Sequence, residues 1–181
     1  MSKQLLECVP NFSEGNNSTI INSITDEVKS VEGVTLLNVD PGKATNRTVV
    51  TFVGNPQSVI KAAFKLIKKA AELINMETQH GEHPRMGATD VCPLIPISGI
   101  SMDEAVKYSE ILARKVSEEL NIPTYLYEYS AKKKYRRNLA QIREGEYEGL
   151  QNKVKDPKWK PDYGPTDFNI FKKSGATAIG A

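Results

Sequence analysis

A chain of 181 residues with 39% hydrophobic and 25% charged residues is long enough to bury one sizeable core and too short for two large ones. Lys and Arg outnumber Asp and Glu only by 24 to 22, which excludes the field of a nucleic-acid coat, and the hydrophobic content excludes a disordered chain. The longest strongly apolar run, Val91 to Ile97, is far below membrane-spanning length, and the N-terminus MSKQLLECVPNFSEG lacks a basic stretch followed by an extended apolar one. The expected location is therefore the cytoplasm, with neither membrane nor nucleic acid as a partner.

In chain order, Leu5 to Val9 reads as a short buried strand stopped by Pro10-Asn11, ahead of a polar loop that runs to Asn17. Ile20, Ile21, Ile24 and Val28 fall on one helical face, with Asn17 or Ser18 as the cap and Gly33 closing the segment. Val34 to Val39 and Arg47 to Val53 are β-rich and read as a hairpin, whose long connection Asp40-Pro41-Gly42-Lys43-Ala44 has turn chemistry. A helix over Pro56 to Ile74 carries Val59, Ala62, Ala63, Leu66, Ile67, Ala70 and Leu73 as an apolar stripe, and Pro56 suits its first turn. Met76 to Thr89 has neither period and holds both histidines, so it reads as a loop. Val91 to Ile97 reads as a strand in which Pro93 and Pro96 remove two ladder donors, arguing for an edge position, a bulge or an early end. Met102 to Leu120 returns to helix and Thr124 to Tyr129 to strand. The basic run Lys132 to Arg137 reads as a solvated helix face, followed by short helical pieces to Gln151 and a tail rich in Lys, Pro, Asp and Gly.

This order predicts an α+β fold, a mixed β-sheet with helices on one face, related to a split βαβ (ferredoxin-like) pattern and forming one domain over residues 1–181. The other face of the sheet then needs a cover or a partner. Cys8 and Cys92 sit in strand-like apolar contexts, where buried reduced thiols are preferred to a disulfide or a nucleophile.

The chemistry-bearing residues concentrate in the loop and the hairpin. Imidazole titrates near neutrality, so His83 is a candidate for proton transfer; position alone favours a loop histidine bonded to backbone. His80 lies three residues earlier, but His-Gly-Glu-His is not the helical His-Glu-x-x-His zinc signature, so no metal is expected. Arg47 and Arg85 offer bidentate forks for carboxylates, or serve as ion-pair partners of Asp40, Glu82 or Asp90. Asp40, in Asp-Pro-Gly, reads equally as a turn aspartate or as a carboxylate beside a reacting cation.

Four strings together change the balance: Glu7-Cys8-Val9-Pro10-Asn11-Phe12-Ser13-Glu14-Gly15, Thr45-Asn46-Arg47-Thr48-Val49, Gly81-Glu82-His83-Pro84-Arg85-Met86-Gly87-Ala88 and Gly175-Ala176-Thr177-Ala178. They resemble the glutamate formiminotransferase (glutamate formimidoyltransferase) family, the transferase part of formiminotransferase-cyclodeaminase. The resemblance covers the whole chain as the N-terminal subdomain of that enzyme, without the C-terminal subdomain whose sheet faces it across a folate groove. It implies transfer of a formimino group from N-formimino-L-glutamate to tetrahydrofolate in histidine degradation, with tetrahydrofolate as co-substrate and a homodimer or a separate C-terminal subdomain chain as partner. It also implies His83 as the general base and Asp40 beside the reacting groups. Arg47 and Arg85 would hold carboxylates, and the stretch Gly164-Pro165-Thr166-Asp167-Phe168 would contact folate, Phe168 packing on its rings. The competing expectations are a folate-binding or protein-interaction module without turnover, and a dimerisation unit built on the open sheet face.

Overall fold

The computed structural model describes residues 2–181. Strands β1 (Leu5–Cys8) and β2 (Asn11–Phe12) occupy one lane of a seven-stranded sheet, broken at Val9-Pro10 and flanked by β4 (Arg47–Gly54) and β5 (Thr89–Ser98). β3 (Val34–Gly42) pairs with β4 at one edge, while β7 (Thr177–Gly180) and then β6 (Thr124–Tyr127) extend the sheet beyond β5 as parallel neighbours. The lanes β5, β1/β2, β4 and β3 are antiparallel throughout and have the order of a split βαβ unit, with α1 (Ser18–Lys29) and α2 (Pro56–Leu73) as its crossovers. α3 (Met102–Leu120) then carries the chain from β5 to β6, packing on β5, β6 and β7. The expected α+β class and sheet are present, and the parallel pair is the addition.

The helices begin where the sequence says they should. The Asn17 side chain accepts from the N–H groups of Thr19 and Ile20, Asn55 accepts from Ser58 N–H ahead of Pro56, and Ser101 with Glu104 forms a reciprocal capping box. Ile21, Ile24 and Val28 of α1, the alanine-rich stripe of α2, and Leu112 and Val116 of α3 bury one face of the sheet.

Three expectations change. Asp40-Pro41-Gly42 is not turn: β3 runs to Gly42 opposite Arg47, and the reversal falls at 43–46 with Asn46 at φ 48. Pro41 is tolerated because β3 is an edge strand, with one side of its backbone free of ladder bonds. β5 is an edge only in part: its first half lies between β2 and β7, whereas beyond Pro93, opposite Gly180 where β7 ends, it is flanked by β1 alone and carries a bulge between Pro96 and Ser98, one of the alternatives expected for its prolines. β6 stops at Tyr127, because Glu128 takes φ 54 and opens a tight turn.

The second face is half covered. β1 and β4 alternate strictly between buried and partly buried residues, whereas all four residues of both β6 and β7 are buried, which requires a layer on each side of them. That layer is the chain's own segment 131–168, including α4 (Leu139–Arg143) and α5 (Glu146–Lys153). Tyr125 donates its hydroxyl to the Trp159 carbonyl with the Arg136 guanidinium over its ring, and Ile142, Leu150 and Val154 are buried. Arg136, expected on a solvated face, is therefore interior: it pairs with Asp162 at 3.1 Å and donates to the carbonyls of Lys158 and Lys160. The half built from β3, β4, β1 and the end of β5 stays open and exposes Ile95 and Ile97. No helix is long and apolar enough to cross a membrane, as judged over the described residues.

Cys8 and Cys92 are buried and unlinked, their Sγ atoms 3.5 Å apart, and burial pushes the Cys8 thiol up so that it stays protonated. A close backbone approach lies at the mouth of β5, where Gly87 bridges Gly175. A Cβ on Gly87 would stand 2.1 Å from the Ala176 carbonyl oxygen, so Gly87→Ala must push β7 away from β5. We expect a loss of about 3 kcal/mol, read as a lower denaturant midpoint; an unchanged midpoint would contradict the packing described.

Candidate active site

The loop carrying His83 is laid on the β3–β4 turn by backbone contacts. Asn46 donates to the His80 carbonyl, Gln79 to the Asn46 carbonyl, and Glu82 N–H to the Ala44 carbonyl. Gly81 passes so close that a Cβ would fall 2.2 Å from the Thr45 oxygen. At the far end Ser13 donates its N–H to the Ala88 carbonyl and its hydroxyl to Gly87, tying the loop to β2.

These ties bring the half-buried His83 ring over the start of β4. Its Nδ1 lies 2.8 Å from Arg47 Nη1 and 2.6 Å from the Pro84 carbonyl oxygen. Nε2 makes no hydrogen bond to the protein among the described residues, so it is free to exchange a proton with a ligand. Arg47 donates Nε–H to Asn11 Oδ1 at 2.9 Å and Nη1–H to Asp90 Oδ2 at 3.0 Å. Burial lowers the Arg47 guanidinium from its usual value, with Asp90 opposing that shift and Arg143 adding to it.

Asp90 is aimed by a bulge. Asn11 pairs with Val91 and Phe12 with Thr89, so Asp90 is the extra residue between them. It is 1% exposed. Its Oδ1 accepts from Met86 N–H at 3.0 Å, and its Oδ2 is shared by Arg47 and by Arg143 at 2.5 Å. Two guanidiniums on one carboxylate leave a net positive floor. Opposite, Asp40 faces the same side of the sheet, paired in register with Val49, and its exposed carboxylate makes no hydrogen bond or ion pair among the described residues. Asn11, Asp40, Gly42, Thr45, Arg47, Val49 and His83 together line a depression of about 270 Å³ on the open half of the sheet. A cation would sit between Asp40 and the ring, and an anion over Arg47.

Of the residues singled out in the sequence, the structure thus brings together Asp40, Arg47 and His83. Arg85 turns the other way and is nearly buried. Nε donates to Gln79 Oε1, Nη1 to Glu148 and Glu146, and Nη2 to the Gln79 carbonyl and Glu148, so all its N–H donors are taken. It clamps the loop to α5, and the expected carboxylate-binding role has no donor left to perform it. Gly164, Pro165, Thr166 and Phe168 do not line the depression either. Gly164, at φ 103, packs against Pro123 ahead of β6, and the Phe168 ring lies against Tyr147 at 5.8 Å and Phe171 at 5.5 Å. Asn11 was not singled out, Asp90 was expected only as an ion-pair partner of Arg47 or Arg85, which it is for Arg47 at 3.0 Å, and Arg143 was not singled out. The first two lie within or beside the family-like strings, whereas Arg143 arrives on α4, 53 residues beyond Asp90, with no local signal.

Residues 5–181 match the family described as the formiminotransferase domain, N-terminal subdomain. The chain belongs to that family. This N-terminal subdomain is 51% identical to the formimidoyltransferase-cyclodeaminase of Dictyostelium discoideum over 98% of its own length and 33% of that relative's. It is 48% identical to the glutamate formimidoyltransferase of Streptococcus pyogenes over 98% of its length and 59% of the relative's, and 45% identical to that of Thermoplasma acidophilum over 98% and 58%. The subdomain therefore spans about a third of the two-activity relatives and under two thirds of the single-activity ones.

Proposed function

We propose that this chain forms the His83-bearing wall of a glutamate formimidoyltransferase site, moving the formimino group from N-formimino-L-glutamate to tetrahydrofolate in the cytoplasm, a step of histidine degradation that feeds one-carbon metabolism. The observation that carries the reading is the single depression holding His83, Asp40 and Arg47. The domain is the N-terminal subdomain over residues 1–181, and a C-terminal subdomain, or a second copy of the chain, supplies the opposite wall over the open half of the sheet.

The electrophile is an amidinium carbon, and the acceptor is a ring nitrogen of the folate. Attack forms a tetrahedral intermediate, after which the carbon–nitrogen bond to glutamate breaks. The attacking nitrogen must lose a proton and the departing one must gain a proton, and His83 Nε2 performs both transfers. Asp40 stabilises the positive charge of the amidinium. Arg47, with Nε and Nη1 already engaged, retains Nη2 for a substrate carboxylate. Arg85 acts by holding the loop, and Phe168 by packing on Tyr147 behind it.

The test is a transfer assay with formiminoglutamate and tetrahydrofolate, using this chain joined to the C-terminal half of a glutamate formimidoyltransferase. Turnover is the expected result. Tetrahydrofolate binding by calorimetry without turnover would replace the enzyme by a binding module, and absence of both would leave a structural unit.

A further inference from the structure

One nitrogen of the neutral His83 ring faces two groups that demand opposite tautomers. The Pro84 carbonyl oxygen, 2.6 Å from Nδ1, can only accept, and so favours a proton on Nδ1. Arg47 Nη1, 2.8 Å from the same atom, can only donate, and so favours a lone pair on Nδ1 and the proton on Nε2. The outcome turns on how firmly Arg47 is held. Its Nε is fixed on Asn11 and its Nη1 on Asp90, a buried carboxylate itself fixed by Met86 N–H and Arg143. A hydrogen bond from a charged guanidinium is the stronger competitor, and Pro84 is exposed, so water can serve its carbonyl.

We propose that Asp90 is a positioning residue which, by holding Arg47 on Nδ1, keeps the proton of the unliganded, neutral His83 ring on Nε2. The resting ring is then a donor at its free nitrogen, and Nε2 becomes a base only after Arg47 leaves Nδ1, so that the proton can move to Nδ1 and be accepted by the Pro84 carbonyl already 2.6 Å away. A carboxylate that draws the Arg47 guanidinium away from the ring makes that exchange, which couples substrate binding to the protonation state the transfer needs. The proposal deepens the formimidoyltransferase reading and rests on it for the reaction, while the proton's position is read from the ring alone.

The experiment is a long-range nitrogen–proton correlation spectrum of the nitrogen-15-labelled chain, at a pH where the rings are neutral. The chain has 2 histidines, so His80→Gln assigns the signals. The expected wild-type pattern has an unprotonated Nδ1 and a protonated Nε2 on His83. Asp90→Asn should invert it, with the His80 signals unmoved. Arg47→Gln, which leaves the buried carboxylate paired with Arg143, should give the same inversion and serves if Asp90→Asn fails to fold. A protonated Nδ1 in the wild type, or an unmoved pattern in the folded variants, overturns the proposal. Inversion without turnover in the transfer assay would overturn only the assigned reaction, and turnover with an unmoved tautomer only the role of Asp90.

Discussion

His83→Ala is expected to lower the turnover of formimino transfer by about 10²- to 10⁴-fold while leaving tetrahydrofolate affinity within a few fold, because only the proton-transfer group is removed. The ring is held by its Nδ1 side, so its loss leaves Arg47 on Asn11 and Asp90 and Asp40 on β3. Single-turnover rates and calorimetry separate the two quantities. Equal losses in binding and turnover would make His83 a contact residue, and full activity would remove it from the reaction.

Arg85→Met should act first on stability and through it on the site. The guanidinium joins Gln79 at the start of the loop to Glu148 on α5, and its removal orphans the Gln79 acceptors at a buried position. Glu148 is largely exposed, so the charge part is screened, and the expected cost is about 2 kcal/mol, mostly from lost hydrogen bonds. Its pH dependence has a definite sign. The Arg85 hydrogen bond holds the Glu148 carboxylate below its usual value, so over that interval the unfolded chain binds more protons than the folded one. The pair's contribution is complete above the unfolded carboxylate value of about 4.3 and is lost as pH falls through the lowered folded value. The stability gap between wild type and variant, followed by denaturant melts, should narrow on acidification. A gap that widened would show that Arg85 is not stabilised by Glu148.

The helices and most strands were legible because the relevant forces are local. The stripe of α2 and Pro56 in its first turn locate that helix to within one residue at its end, and the span Met102 to Leu120 coincides with α3. Asp40-Pro41-Gly42 misled because turn propensity cannot see that β4 offers a partner on one side only, which lets a proline stay in the edge strand. The prolines of β5 were right for its second half, which is an edge with a bulge, but not for its first, because β7 arrives from more than eighty residues downstream and makes that half interior. Among the site residues, His83, Arg47 and Asp40 were visible as unusual chemistry in the loop and hairpin, but Arg85 could not be told from Arg47. Both are arginines in family-like strings, and only the packing of α5 shows that one guanidinium is fully engaged while the other keeps donors over the depression. Arg143 was invisible for the same reason, its function arising from α4 crossing the second face of the sheet.

The most direct test of proton transfer at His83 is chemical rescue of the His83→Ala variant in the transfer assay. Added imidazole should restore turnover in a saturable way, tracking the fraction of its neutral form, because the vacated space borders the open depression. Turnover that stays at the variant's level at all imidazole concentrations, with tetrahydrofolate still bound, would contradict the account.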